Sequence, residues 1–411
     1  MLTTFARVTG AAVIVAFLGM GCFGSMSHQL MPSTMAPASQ SSGATSVSTP
    51  AGELRTGLNA LLSEHVILAA AATGAALAGR SGEFQAVAGA LDANSVDIAK
   101  AIGSVYGADA EQAFLPLWRK HIGFAVDYTQ GIIIRDRAKQ DQAVADLAQY
   151  PQDFGAFLSA ANPNLPKVGV TDLVKTHILT LKEVIDAQAA KDPVKAYTAL
   201  RMAAGHMHMI AEPLAGAIVK QFPAKFAGSA ESSAADLRAM LTIALREHVY
   251  LAAAATGAAL GGRDAEFQAA AGALDANSMD IAKAIGSVYG PDAEQAFLPL
   301  WRKHIGFIVD YTRGVATKEK AKQGKAVADL VQYTEDFAAF LHSANPDLPK
   351  SVVADLVKKH VLTVKEVIDA QASGNIAQAY TALRNAAGHM AMIANPLSDA
   401  IVKQFPARYS I

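Results

Sequence analysis

The sequence contains two nearly identical copies of one unit. The segment Trp118–Phe124 recurs as Trp301–Phe307, and two further histidine motifs keep the same offset of 183 residues. Because no net insertion separates these motifs, both copies should have the same fold. The repeat therefore predicts two tandem domains, at residues 53–226 and 236–411, joined by a small, Ser-rich linker at residues 227–235.

A weaker repeat divides each copy into three parts. In the first copy His65, His121 and His177 stand 56 residues apart, and a leucine lies four residues before each of them. Leucine and histidine at this spacing share one face of an α-helix. The Ala- and Leu-rich composition also favours helix over strand. The sequence therefore predicts an all-α fold of two tandem homologous bundles, each of about six helices arranged as three helical hairpins.

Turn signals occur where three hairpins require them. Breaker or polar runs lie at residues 78–82, 135–141 and 191–193, about midway between the positions that would face each other in each hairpin. In two antiparallel helices, residues equidistant from the turn lie at the same height. One level of the first copy is therefore predicted to hold His65, Asn94, His121, Tyr150, His177 and His206.

Four histidines at one level of a helical bundle predict a transition-metal site. Neutral imidazole is the commonest metal ligand, and facing bundle helices are a usual way to converge several of them. Met209, close to one helical turn after His206, favours copper because its thioether is a soft ligand. Asp97 and Asp153 are candidate ligands or hydrogen-bond partners of the imidazoles. The complete candidate ligand set is His65, His121, His177, His206, Met209, Asp97 and Asp153, with their counterparts His248, His304, His360, His389, Met392, Asp280 and Asp336.

Two other interpretations of the histidines stay open. The aspartates could complete a buried hydrogen-bond network that fixes helix register, in a non-catalytic structural or interaction module of the cell envelope. Facing histidines could also bind haem, which would be non-covalent because no Cys-x-x-Cys-His sequence is present. No Glu-x-x-His pair, His-Glu-x-x-His, Gly-x-Ser-x-Gly or phosphate-binding loop occurs either. The sequence therefore predicts a metal-binding protein that is not an enzyme, with copper or zinc preferred to haem.

The charge balance argues against a nucleic-acid partner. The chain has 35 Lys and Arg residues and 36 Asp and Glu residues, which leaves a net charge of −1. Nucleic-acid-binding proteins usually carry a strong basic excess or a basic face. The predicted partners are therefore a metal ion and components of the cell envelope, with no nucleic acid.

The N-terminus has the pattern of an export signal. Arg7 precedes an apolar run at residues 8–20, which is short for a membrane span and typical of a signal-peptide core. Cys22, the single cysteine, stands where a lipoprotein signal places its lipidated cysteine. We therefore expect a signal peptide or lipoprotein signal at residues 1–22 and a disordered Ser/Thr/Pro/Ala-rich tether at residues 23–52. The protein would be exported, and either anchored to the membrane by its lipid on the extracytoplasmic side or secreted.

Four short stretches occur in both copies: Glu-His-Val-x-Leu-Ala, Leu-Asp-Ala-Asn-Ser, Trp-Arg-Lys-His-Ile-Gly-Phe-x-Val-Asp-Tyr-Thr and Gly-His-Met. Together they resemble a family of exported bacterial helical-repeat proteins, some of which are labelled copper amine oxidase-like. The resemblance covers residues 53–226 and 236–409. It implies a location in the cell envelope and points to copper. It implies no amine oxidase activity, because the Asn-Tyr-Asp/Glu sequence that supplies the quinone cofactor of that enzyme class is missing.

Overall fold

The computed structural model describes residues 48–411, which belong to one compact unit. The expected signal at residues 1–22, Cys22 and the tether up to residue 47 lie outside the described residues. The described part contains twelve α-helices and no β-strand, which confirms the predicted all-α class. The first copy contains α1 (Pro50–Leu77), α2 (Ser81–Tyr106), α3 (Ala108–Ile133), α4 (Arg137–Ala161), α5 (Lys167–Ala189) and α6 (Pro193–Gln221). The second copy contains α7 (Ser233–Leu260), α8 (Asp264–Tyr289), α9 (Pro291–Ala316), α10 (Lys320–Ala344), α11 (Lys350–Ala372) and α12 (Ile376–Gln404).

The first helix of each copy begins earlier than the repeat boundaries suggest. The expected tether covers residues 23–52, but its last three residues are helical. Pro50 occupies the first turn of α1, and the Thr49 side chain caps this helix. In the same way α7 begins at Ser233, within the expected linker 227–235. Helices α1 and α7 therefore begin a few residues before the repeat units at residues 53 and 236.

The turns predicted in the first copy are confirmed, and the junctions between hairpins are equally short. Breaks between helices occur at each of the three predicted turn positions. Gly107 alone separates α2 from α3, and its φ of 93° lies in a region that glycine adopts without a Cβ clash. Gly290, with a φ of 92°, makes the same junction between α8 and α9. With connections this short, consecutive helices pack antiparallel to each other.

The six helices of each copy form a closed bundle. Helices that are neighbours in the chain contact each other, and α6 returns to contact α1. Because consecutive helices are antiparallel, α1, α3 and α5 run in the same direction. These three helices also contact one another across the middle of the bundle, as α7, α9 and α11 do in the second copy. Three inner helices of each copy therefore carry the histidines spaced 56 residues apart.

Helix α1 has apolar residues around most of its circumference because other helices surround it. It contacts α2, α3, α5 and α6 of its own copy and α7 of the other. Within residues 48–411 it is the one helix that is long and apolar enough to cross a membrane by length and composition, and 61% of that apolar stretch is buried inside the fold. Its composition therefore matches its central place in the bundle.

The two copies pack against each other about a pseudo-twofold axis. α1 contacts α7, α2 contacts α12, and α6 contacts α8, so each contact between copies has an equivalent. Arg384 of the second copy binds Glu64 and Asp97 of the first, both at 2.7 Å. Arg201 of the first copy repeats this arrangement by binding Glu247 at 2.9 Å. Reciprocal ion pairs therefore fasten the two bundles together.

Not every ion pair between the copies has a symmetric equivalent, and the pair between Arg246 and Glu64 is one that does not. Buried Arg246 on α7 binds Glu64 on α1 at 3.1 Å, so that Glu64 accepts from two arginines of the second copy. The residue that corresponds to Arg246 in the first copy is Ser63, which hydrogen-bonds its own helix through the Asn59 carbonyl. The pseudo-twofold relation is therefore broken at the contact between the two central helices.

Candidate metal centre

The histidines of the inner helices converge in the middle of the first bundle. His65 on α1, His121 on α3 and His177 on α5 are all buried, at 0%, 2% and 5% exposure. The Nε2 atoms of His65 and His121 lie 3.1 Å apart, so one of these nitrogens donates a hydrogen bond to the other. Across the three residues, one nitrogen from each ring lies within 4.8 Å of the others. The predicted convergence of the 56-residue repeat histidines is therefore found.

The second bundle contains the same cluster. His248, His304 and His360 are buried, and the Nε2 atoms of His248 and His304 lie 3.2 Å apart. One nitrogen from each of these three rings again lies within 4.8 Å of the others. The chain therefore holds two histidine triads, which we call triad 1 (His65, His121, His177) and triad 2 (His248, His304, His360).

Burial keeps the imidazoles of triad 1 neutral. Desolvation, followed by the neighbouring histidines, holds the pKa of His65 well below its usual value of 6.5. Desolvation and His177 lower the pKa of His121 to about 3, and desolvation and His206 lower that of His177 to about 4. The Trp118 carbonyl acts in the opposite direction and raises the pKa of His121, but burial outweighs it. Nδ1 of His121 has no hydrogen-bond partner among the described residues. Neutral imidazoles retain the nitrogen lone pair that binds a metal.

Several polar atoms around triad 1 have no hydrogen-bond partner among the described residues. These atoms are Nδ1 of His65 and His121, and both ring nitrogens of His177. An unpaired buried polar atom costs about 1 to 3 kcal/mol, so a cluster of them is rarely retained without a partner. A metal ion held with the Nε2 atoms of His65 and His121 would supply that partner to one nitrogen of His177.

The wall of the triad contains two aromatic residues that the ligand prediction did not include. The Trp118 ring packs against His65 and His121 with centroids 4.8 and 4.7 Å away, and Tyr150 packs against His121 at 4.9 Å. The Trp118 Nε1 and Tyr150 hydroxyl atoms are buried without a hydrogen-bond partner in the described part. Tyr150 stands at the predicted histidine level, and Trp118 precedes His121 by one helical turn, so spacing alone could have assigned both to the site.

The fourth predicted histidine of each copy does not join the triad. His206 lies on α6, and its Nε2 donates a hydrogen bond to the Leu173 carbonyl at 3.0 Å. His389 on α12 makes the same bond to the Leu356 carbonyl at 2.9 Å. A nitrogen that donates a proton has no lone pair for a metal. In this arrangement each site therefore contains three histidines instead of the expected four.

The predicted methionine ligands do not reach the triads. Met209 and Met392 are 55% and 58% exposed, while every triad histidine is buried. Both methionines lie on outer helices, α6 and α12, about one turn after His206 and His389. Their side chains therefore lie on the outer surface of the bundle. The methionines therefore give no support to copper over zinc.

The predicted aspartate ligands also bind other groups. Asp97 is bound by Arg384, and Asp280 by Arg201 at 2.8 Å, so both carboxylates belong to the contact between copies. Asp153 accepts a hydrogen bond from Gln149 at 3.3 Å on the surface of α4. Its counterpart Asp336 does the same with Gln332 at 3.1 Å. None of the four is part of a triad.

The low histidine pKa values predict that acid destabilises the fold. The unfolded chain takes up a proton at each of these histidines near pH 6.5, whereas folded His121 and His177 remain neutral until about pH 3 and 4. The unfolded state therefore binds more protons below pH 6.5, and stability decreases as the pH falls. Each histidine contributes about 1.4 kcal/mol per pH unit within that window.

This effect can be measured by thermal unfolding of the metal-free protein between pH 7 and 5, where most carboxyl groups stay ionised. We expect the midpoint temperature to decline steadily below pH 6.5. A constant midpoint over this range would contradict the assignment of neutral, buried imidazoles. Replacing exposed His342 with glutamine provides the control, because this variant should keep the full pH dependence.

Comparisons of the chain with protein-family models, with curated proteins and with solved structures found no match. The two triads and their surroundings are therefore the features that indicate a function.

Proposed function

We propose that the protein binds transition-metal ions, copper or zinc, with one ion in each triad. The observation that carries this proposal is the convergence of three neutral, buried imidazoles with unpartnered nitrogens in both copies. Copper and zinc are the metals for which imidazole ligands are well suited. The ligands in the first copy are His65, His121 and His177, and the second copy uses the equivalent residues.

The spacing of the nitrogens fits a small rearrangement on binding. Bonds of about 2.1 Å in a tetrahedral site place the ligand nitrogens roughly 3.4 Å apart. The Nε2 atoms of His65 and His121 are already 3.1 Å apart, while the widest separation in the triad reaches 4.8 Å. The widest nitrogen–nitrogen separation therefore has to shorten by about 1.4 Å, which is within reach of a side-chain rotation.

Three histidines leave a fourth coordination position. The Tyr150 hydroxyl is buried beside His121 without a partner, and Trp118 Nε1 is likewise unpartnered. Both groups are hydrogen-bond donors, so they favour an oxygen-containing molecule such as water in that position. Water, bound in this way, completes the coordination of a site that captures or buffers metal. This role needs no catalytic residue, in accordance with the motifs that the sequence lacks.

A structural histidine network is the second candidate function. The hydrogen bond between His65 and His121 favours it, because this bond satisfies one nitrogen on each ring without any metal. It leaves both nitrogens of His177 without a partner, however, and a purely structural network would be expected to satisfy them. Haem is less favoured than either, because rings in direct contact leave no space for a macrocycle between them.

Location and anchoring complete the proposal. The signal pattern at residues 1–22 and Cys22 support export and attachment to the outer face of a membrane by lipid. An exported protein with two metal sites would bind copper or zinc ions before these ions reach the membrane. Export is tested by fractionation, and lipidation by the loss of membrane attachment in a Cys22→Ala variant.

The metal proposal is tested by loading the purified chain. After treatment with chelator, the protein is dialysed against Cu(II) or Zn(II) and the bound metal is measured by mass spectrometry. We expect two ions per chain and a midpoint temperature several degrees higher, because a ligand that binds only the folded state stabilises it. No retained metal, together with an unchanged midpoint temperature, would favour the structural network.

A further inference from the structure

The outer surface of α6 carries three potential metal ligands in a row, apart from triad 1. Met202, His206 and Met209 follow one another at intervals of four and three residues, so they lie on one face of the helix. Met202 and Met209 are 61% and 55% exposed, and His206 is half-buried. None of the three belongs to a triad. We call this set the α6 cluster.

The second ring nitrogen of His206 is free to bind an ion at the surface. Nε2 donates its proton to the Leu173 carbonyl, so Nδ1 carries the lone pair of the neutral ring. Nδ1 makes no hydrogen bond to the described residues, and it is not buried. Metal-binding histidines usually donate their other ring nitrogen to a carboxylate or a backbone carbonyl. His206 is therefore held as a metal ligand is, with its open position outside the triad.

The two methionines flank this histidine at ligand distance. An α-helix rises 1.5 Å per residue, so Met202 lies about 6 Å before His206 along the axis and Met209 about 4.5 Å after it. Side chains of a helix point towards its N-terminus, which directs Met209 towards His206 and His206 towards Met202. Met240 on α7 is also exposed, at 47%, but has no histidine within four residues. The α6 methionines therefore differ from a methionine that merely lies on the surface.

The second copy has two of these three ligands. His389 donates Nε2 to the Leu356 carbonyl as His206 does to Leu173, and Met392 is 58% exposed. Asn385 stands at the position of Met202. An amide oxygen is a hard ligand and does not replace a thioether. The second copy is therefore a natural comparison with one soft ligand fewer.

The chemistry of the α6 cluster selects a soft ion. Thioethers carry no charge, and soft sulfur ligands favour Cu(I), whereas hard cations prefer oxygen ligands. We propose that Met202, His206 and Met209 bind one Cu(I) ion at the outer surface of α6, through two sulfur atoms and Nδ1. This site does not depend on metal binding by the triads, because it shares no residue with them.

The test uses Ag(I) as the probe, because it has the charge and the soft-ligand preference of Cu(I) without its redox chemistry. The purified full-length chain, labelled with ¹³C at its methionine methyl groups, is loaded with Zn(II) and titrated with silver nitrate in chloride-free buffer. We expect the NMR signals of Met202 and Met209 to shift together and to saturate at the same silver concentration. The signal of Met240 should stay in place, and Zn(II) alone should move none of the three.

Each methionine gives its own signal, so methionines near the N-terminus do not obscure the result. If the Met202 and Met209 signals stay in place, or move only at the silver concentration that moves Met240, the proposal is overturned. The outcome does not depend on whether the triads take up zinc, so it is distinct from the test of the triads.

Reciprocal exchanges between the copies test the ligand set. Met202→Asn gives the first copy the residue of the second, and Ag(I) affinity measured at Met209 should fall at least about tenfold. Asn385→Met makes the opposite change, and affinity measured at Met392 should rise at least about tenfold. Both positions are exposed, so the fold should be retained. Met240→Asn is the control and should change neither affinity. Unchanged affinity in either exchange would overturn the proposal.

Discussion

Replacing Glu64 with alanine is expected to lower the free energy of unfolding by about 3 to 5 kcal/mol, because it leaves a buried charge without its partner. Glu64 is only 4% exposed and accepts from Arg384 at 2.7 Å and from Arg246 at 3.1 Å. Arg384 keeps a second carboxylate in Asp97, but Arg246 retains only a long bond to the Ala60 carbonyl. Unfolding in urea, followed by circular dichroism, measures the loss.

The pseudo-twofold partner of Glu64 provides the matched control. Glu247 is more exposed and binds Arg201 and Asn277. Removal of the Glu247 carboxylate leaves Arg201 paired with Asp280. Glu247→Ala should therefore lower the free energy of unfolding by only about 1 to 2 kcal/mol. Equal losses in the two variants would show that Arg246 adds nothing to the contact between copies.

Replacing His121 with alanine is expected to remove one of the two metal ions and to lower the affinity of triad 1 by at least about 100-fold. His121 faces both other histidines of its triad, with its Nε2 3.1 Å from that of His65. Two remaining imidazoles cannot complete a site that requires at least three protein ligands. Adding His304→Ala should remove the second ion as well. Metal analysis of the folded variants gives the stoichiometry.

The control for this series is His206→Ala. The ring of His206 donates to the Leu173 carbonyl and is not part of the triad, so this variant should still bind two ions. Metal binding by this variant also distinguishes two sites. The sequence predicts a site of four histidines, whereas the structure brings three histidines together. Loss of an ion in His206→Ala would show that His206 turns towards the metal on binding.

Much of the fold follows from the sequence because its repeats are long and regular. The 56-residue spacing and the leucine before each histidine correctly place His65, His121 and His177 on the inner face of the bundle. The turn signals correctly divide the first copy into three hairpins. Both predictions depend on local periodicity, which a single sequence displays directly.

The ligand set was harder to predict because height along a helix does not determine direction around the bundle. His206 shares the level of the triad, but α6 is an outer helix, so its imidazole meets a backbone carbonyl. Asp97 binds a group outside the triad for another reason. Its partner, Arg384, comes from the other copy, and no local pattern reveals how two homologous bundles face each other.

The unmatched arginine on α7 makes the two halves of the chain non-interchangeable. A protein assembled from two first halves would have Ser63 at both of these positions, and Glu64 would lose one of its two arginines. One assembled from two second halves would place Arg246 opposite Glu247, the counterpart of Glu64, on both sides of this contact. The two halves of the chain therefore contribute different residues to the contact between the central helices. A separated first half should therefore bind a second half, which supplies Arg246, in preference to another first half.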